Sequence, residues 1–78
     1  MQEFEICLGS LADILEFVAL AQRQPFPVFA GNHYQQVSAK SYIGMCALDC
    51  SRPIRIQVRC TGCELAPFLH AAQRFLLN

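Results

Sequence analysis

Charge is scarce in this sequence and neither sign prevails: six basic and six acidic side chains among 78 residues cancel to a formal net charge of zero, with a pI near 6.7. Nucleic-acid binding normally leaves a basic patch and a raised pI, so no footprint for DNA or RNA is present. Long apolar runs are also missing, since none approaches the roughly 20 residues that cross a bilayer. Met1-Gln2-Glu3-Phe4-Glu5 places acids where an export signal carries bases. The expectation is a cytoplasmic protein with no membrane partner. No internal repeat, low-complexity tract or linker interrupts residues 1–78, which leaves one small domain. No glycine-rich phosphate loop, Ser-His-Asp set or pair of catalytic carboxylates can be assembled, and the reading is therefore non-enzymatic. The two histidines do not change this: His33 falls in an expected hairpin turn and His70 in the last expected helix. Neither opens a helix, where free backbone N–H groups bind phosphate.

What the chain has is apolar residues, 54% of the total, and they are patterned. Phe4, Ile6 and Leu8 alternate with Glu5 and Cys7, a half-buried strand ending at Gly9. Ser10 and Asp13 resemble a capping box, after which Leu11, Ile14, Leu15 and Val18 recur at helical spacing to about Arg23. Phe17 and Leu20 fall beside that stripe, giving the helix more apolar surface than one core face requires. Pro25 and Pro27 stop the helix, and Pro27 confines the strand Phe26 to Phe29 to an edge or a strand start. Gly31-Asn32 supplies residues that tolerate positive φ for a hairpin, with Tyr34 to Val37 returning. Ser38 to Leu48 holds a helix of two or three turns, with Ser41 placed to cap it. Ile54, Ile56, Val58 and Cys60 alternate with Arg55, Gln57 and Arg59, the clearest strand in the chain, one face apolar and the other cationic. Thr61-Gly62 turns the chain into a closing helix marked by Leu65, Phe68, Leu69, Ala72 and Leu76, with Pro67 in its first turn. The order is βαββαβα. One exposed sheet face and three amphipathic helices imply an α+β, two-layer open-faced sandwich: a four-stranded, mostly antiparallel sheet with the helices on one side.

The segment Ser38-Ala39-Lys40-Ser41-Tyr42-Ile43-Gly44-Met45-Cys46-Ala47-Leu48 resembles the regulatory-serine region of HPr, the histidine-containing phosphocarrier protein of the bacterial sugar phosphotransferase system. The element order, the strand Ile54 to Val58, the Gly62 turn and the final helix are similar to that family as well. Members carry phosphate on a histidine in a Gly-x-His-Ala-Arg-Pro motif opening the first helix. Counting back without a gap from Lys40-Ser41, the histidine position falls on Ser10, the arginine on Ala12 and the proline on Asp13. A serine hydroxyl cannot replace imidazole as a high-energy phosphoryl carrier, because its phosphate ester lacks the leaving-group chemistry. Asp13 would also repel phosphate. The resemblance implies a degenerate, HPr-like domain without carrier activity or cofactor. Its partners would be proteins, among them phosphotransferase-system components or a seryl kinase. By the same carry-over Ser41 is a candidate for regulatory phosphorylation, with helix capping alone as the competing role. Tyr42, Ile43 and Cys46 match the apolar face that members use for docking, and Leu11, Phe17 and Leu20 could extend it. Burial in the chain's own core competes with that reading, and self-association is a third use for such a surface.

Five cysteines stand apart from the resemblance. Cys60-Thr61-Gly62-Cys63 at a strand-to-helix junction is a redox-type spacing, and adding Cys46 and Cys50 makes four sulfurs in two pairs, compatible with tetrahedral zinc. A small zinc-binding or thiol-redox protein using Cys46, Cys50, Cys60 and Cys63 is therefore the alternative. Against it, alternation puts Cys60 on the buried strand face, and thiols packed as small hydrophobes are the ordinary case. Arg55 and Arg59, with Arg52 nearby, read as a solvated cationic stripe on the open sheet face.

Overall fold

Period-two alternation sets the sheet, and a computed structural model describing residues 2–32, 34–60 and 62–76 places four strands in it. The strands are β1 (Gln2–Ile6), β2 (Val28–Gly31), β3 (Gln36–Ser38) and β4 (Ile54–Val58). They lie in the order β1-β4-β2-β3, every pairing antiparallel. In β4, Ile54, Ile56 and Val58 are buried while Arg55 is exposed, and the register sets Phe4 and Ala30 on either side of Ile56. On the opposite face Glu5 and Gly31 flank Arg55. Helices α1 (Leu11–Gln22), α2 (Tyr42–Ala47) and α3 (Gly62–Ala71) and a final 3-10 turn, Gln73–Phe75, complete the chain. The sheet's apolar face meets Phe17, Val18 and Ala21 of α1, Met45 of α2 and Phe68 of α3 in one core. The architecture is the α+β open-faced sandwich expected, in the order expected.

Phe68 is the centre of that core. Its ring lies 5.8 Å from Phe4, 6.0 Å from Phe17 and 6.0 Å from Phe26, and Phe17 in turn meets Phe75 edge-on at 5.9 Å. Offset and edge contacts of this kind add about 0.5–1.5 kcal/mol each beyond the area they bury. Pro27 resolves to a strand start, directly before β2, which is an interior strand and needs every N–H from Val28 onward.

Several elements differ from the sequence reading. β1 ends at Ile6, two residues early, because the chain then leaves the sheet: Cys7 N–H bonds to Phe75 O at 2.8 Å and Ile6 bridges Leu76. The returning hairpin strand is Gln36–Ser38, and no described residue has positive φ. Asn32 makes the turn through its side chain instead, its Oδ1 accepting the N–H of Tyr34 (2.8 Å) and of Gln35 (2.9 Å). β4 stops at Val58, so Cys60 is half-buried beyond the strand rather than on its buried face. α3 begins at Gly62, with Glu64 complementing its N-terminal dipole, so Pro67 lies in the second turn and not the first. Leu76 is past the helix, and the buried residue at this end is Phe75.

The largest correction concerns α1. Its core face is Ile14, Phe17, Val18 and Ala21, whereas Leu11 and Leu15 are 60% and 44% exposed. Apolar residues occur nearly all round this helix, so spacing alone does not say which stripe turns inward. The bulk of the Phe17 ring decides it. Phe17 is fully buried and cannot be a partner contact, and Leu20, half-buried against the core, sits nine residues and thus about half a turn of azimuth from Leu11. Both leave the exposed surface expected for docking, and Leu15 is exposed instead.

Candidate functional site

Helix α1 starts with a closed cap. Ser10, extended at φ −157°, accepts the Asp13 N–H on its Oγ at 3.2 Å, and Asp13 Oδ2 accepts the Gly9 N–H at 3.0 Å. The hydroxyl half is that of a capping box, while the carboxylate in the acidic position reaches one residue further back, to the N–H before the N-cap. Asp13 Oδ1 also takes Arg74 Nη2 at 3.1 Å, and the same guanidinium bonds Glu16 and lies 4.2 Å over the Phe75 ring. The Glu16 hydrogen bond, foremost among these contacts, holds the Arg74 pKa above its ordinary value. The start of α1 therefore holds its own carboxylate among its backbone donors, and the nearby cation is already paired.

Helix α2 starts with Ser41. Its Oγ accepts the Gly44 N–H at 3.1 Å, and its carbonyl accepts Met45 N–H at 3.0 Å. Gly44 lets the two elements pack closely: a Cβ there would stand 3.2 Å from Val37 Cβ of β3 and 3.4 Å from Ser41 Oγ, a tight fit. Lys40, beside the cap, does not reach toward it. Its Nζ donates to Gln24 O at 2.8 Å, just beyond the C-terminus of α1, where a cation complements the dipole. Gln22 Nε2 donates to Lys40 O at 2.9 Å, which ties the end of α1 to the start of α2. At about 100° per residue, Leu11, Leu15 and Gln22 share one flank of α1. That flank leads to Ser41.

Exposed apolar residues cluster on these two helices. Ile43 is 85% exposed and Tyr42 42%, and Cys46 and Ala47 are exposed on the same short helix, which carries no charged residue. Met45 alone of α2 is fully buried and anchors it. Ser41, Tyr42, Ile43 and Cys46 thus lie together on α2, tied through Gln22 to the C-terminal end of α1, while Leu11 and Leu15 are exposed on the flank of α1 that carries Gln22, and Ser10, Ala12 and Asp13 form the cap at its N-terminal end.

Among the described residues the two cysteine pairs do not converge. Cys50 donates its S–H to Met45 O at 3.6 Å near the end of α2, whereas Cys60 lies beyond the far end of β4. The strand between them spans about 13 Å at roughly 3.3 Å per residue. The Cys63 side chain and His33 lie outside the described residues. Among the described residues no group of three or more His, Cys, Asp or Glu is placed to hold a metal ion. Desolvation, foremost, pushes the Cys50 and Cys60 thiols above the ordinary range, opposite to the direction a reactive thiolate needs. His70 is exposed in the last turn of α3. Arg55 and Arg59 are exposed, and Gln57 between them bridges Glu3 and Gln36 across the open face at 2.6 Å each.

No family model and no curated protein sequence matches the chain. A solved structure does: the crystal structure of HPr-C-His from Thermoanaerobacter tengcongensis, with a TM-score of 0.74 at 19% identity, over 92% of this chain and 90% of that one. The fold is HPr-like. The match extends over nearly all of the HPr-like sandwich, and at this identity the likeness is one of architecture. No helix among the described residues is long and apolar enough to cross a membrane.

Proposed function

We propose that this chain is a non-catalytic, HPr-like interaction domain related to the phosphotransferase phosphocarrier, docking a protein partner on the face formed by Leu11, Leu15, Tyr42, Ile43 and Cys46. The exposure of these apolar side chains, Ile43 at 85% and Leu11 at 60%, carries the reading. Large apolar groups left in water on adjoining helices mark an interaction surface. Ser41 caps α2 beside Tyr42 and Ile43, which makes it the place where phosphate from a seryl kinase would act on that face. The reading excludes a carrier role because Ser10 and Ala12 fall, counted without a gap from Lys40-Ser41, where the family has its histidine and arginine, and a carboxylate, Asp13, stands beside Ser10 at the helix start. The zinc or thiol alternative finds no support in the separated sulfurs and raised thiols.

The test is intact mass and site mapping after incubation with host lysate plus phosphoenolpyruvate or ATP. The expected product is an acid-stable phosphate at Ser41 with ATP only. An acid-labile phosphate on histidine from phosphoenolpyruvate would overturn the non-carrier reading, and no phosphate from either donor would remove Ser41 and leave the docking face alone.

A further inference from the structure

On the sheet face away from the helices, the β2–β3 turn, the segment before β4 and the end of β1 enclose a cleft of 540 Å³, lined among others by Glu5, Gly31, Tyr34, Arg52, Pro53 and Arg55. A smaller hollow of 190 Å³ adjoins it over Gly31 and Arg55. The volume lies within the range of small-molecule sites, roughly 300–1,000 Å³. Gly31 lines both hollows and stands opposite Arg55 in the register.

Two of the four charges on the walls, Glu5 and Arg55, are uncommitted. Glu5 and Arg55 are direct cross-strand partners on the open face, yet neither side chain makes a hydrogen bond or ion pair within the described structure. Arg52 is 81% exposed and meets only Asp49, at 3.8 Å. Asp49 is instead held by the N–H and hydroxyl of Ser51. The Tyr34 ring is 91% exposed at the turn, and Pro53 is exposed in the segment before β4. Two guanidiniums and two carboxylates sum to zero, so a phosphate dianion placed on the arginines would face Glu5 and Asp49 within the same cleft. A ligand with one charge of each sign meets no such penalty.

We propose that this cleft binds a small zwitterion of the α-amino-acid class, its carboxylate on Arg55, its ammonium on Glu5 and a flat or apolar side chain against Tyr34 and Pro53. A guanidinium and a carboxylate are the complementary partners for these two groups, and charge-assisted hydrogen bonds are the stronger kind. The site stands on the opposite side of the sheet from the docking face and is independent of it.

Amide NMR of the full chain, titrated with L-phenylalanine, tests the proposal. The expected result is saturable shifts centred on Gly31, Asn32 and Arg55. Phenylpropionate and phenethylamine, each lacking one of the two charges, should bind at least tenfold more weakly, and R55Q and E5Q should each weaken L-phenylalanine binding by a similar factor with the amide spectrum otherwise intact. Absence of shifts, equal binding of the one-charge analogues, or tighter binding of adenosine monophosphate than of L-phenylalanine would each overturn it.

Discussion

The rotation of α1 makes a sharp prediction, because two residues one half-turn apart exchange the roles that spacing assigns them. Phe17 is fully buried with Phe68 at 6.0 Å and Phe75 at 5.9 Å, whereas Leu15 is 44% exposed. F17A should cost about 3–5 kcal/mol, the range for an aromatic removed from a packed core. L15A should cost about 1 kcal/mol, since half the side chain is already in water and its loss leaves no enclosed cavity. A domain of this size holds roughly 4–12 kcal/mol in total, so F17A removes a large share of its stability. With a urea slope of about 1 kcal/mol/M, the midpoint falls by about 3 M or more for F17A and by about 1 M for L15A. Should F17A fail to fold at all, F17L, expected to cost about 1–2 kcal/mol, keeps the comparison measurable. Urea unfolding followed by circular dichroism decides it. If L15A costs as much as F17A, the helix turns its Leu11–Leu15 stripe inward and the docking face is lost with it.

Three further outcomes follow from local geometry. G31A should lower the unfolding temperature despite the usual gain from replacing a strand glycine, because a Cβ there would stand 2.9 Å from the Gln35 carbonyl oxygen. Burial raises the Cys50 thiol, so the folded state holds its proton longer than the unfolded chain. The stability this contributes is complete below the ordinary thiol pKa and is lost as pH rises through the raised value. Equilibrium unfolding across alkaline pH should show that decline in the wild type and less of it in C50A, and alkylation mapped by mass should modify exposed Cys46 before Cys50. At Ser41, S41A should cost about 1 kcal/mol, whereas S41N and S41D keep a capping oxygen for Gly44 N–H and stay within a few tenths of wild type. Of these two, only S41D should weaken binding of the partner that the wild-type chain retains, and equal binding by both would show that charge at this position has no effect.

How much was legible in the sequence varies with the physics of each element. β4 was read to within two residues, because Ile-Arg-Ile-Gln-Val alternates without ambiguity and half its side chains must be buried. Both capped helix starts were also legible, since Ser10 and Ser41 are local signals that need no tertiary partner. The face of α1 was not. A helix with Leu, Ile, Phe, Val and Ala on nearly every side has a weak azimuthal preference, and its orientation is settled by rings on α3 and the final 3-10 turn, more than 50 residues away in the chain. The same applies to the candidate site: Tyr42, Ile43 and Cys46 were found from the resemblance, whereas Leu15 became visible once Phe17 was seen to take the core. The hairpin turn was right in place and wrong in mechanism, because Asn32 accepts two backbone N–H groups through its side chain and needs no positive φ.

The two helix starts share a serine hydroxyl cap but differ in the charge beside it, and that difference bears on where a phosphate signal can enter. Each presents backbone N–H groups that favour an anion. At α1 a hydroxyl cap, Ser10 Oγ on Asp13 N–H, is backed by a carboxylate: Asp13 brings a formal charge onto the Gly9 N–H just before the cap, and Arg74, the adjacent cation, is already committed to Asp13 and Glu16. A phosphate arriving there would compete with a carboxylate that is covalently part of the helix. At α2 the demand is met by a neutral hydroxyl, Ser41 Oγ on Gly44 N–H. A phosphate ester on that oxygen keeps an acceptor in place and adds roughly 1.5–2 negative charges at the favoured end of the helix. Lys40 contributes nothing to this balance while its Nζ remains on Gln24 O. The added charge would stand next to exposed Tyr42 and Ile43, turning the uncharged face proposed for docking into an anionic one by its presence alone, with no conformational relay. Of the two positions, only α2 has a hydroxyl cap with no carboxylate beside it, next to the exposed Tyr42 and Ile43 whose affinity for a partner such a charge would change.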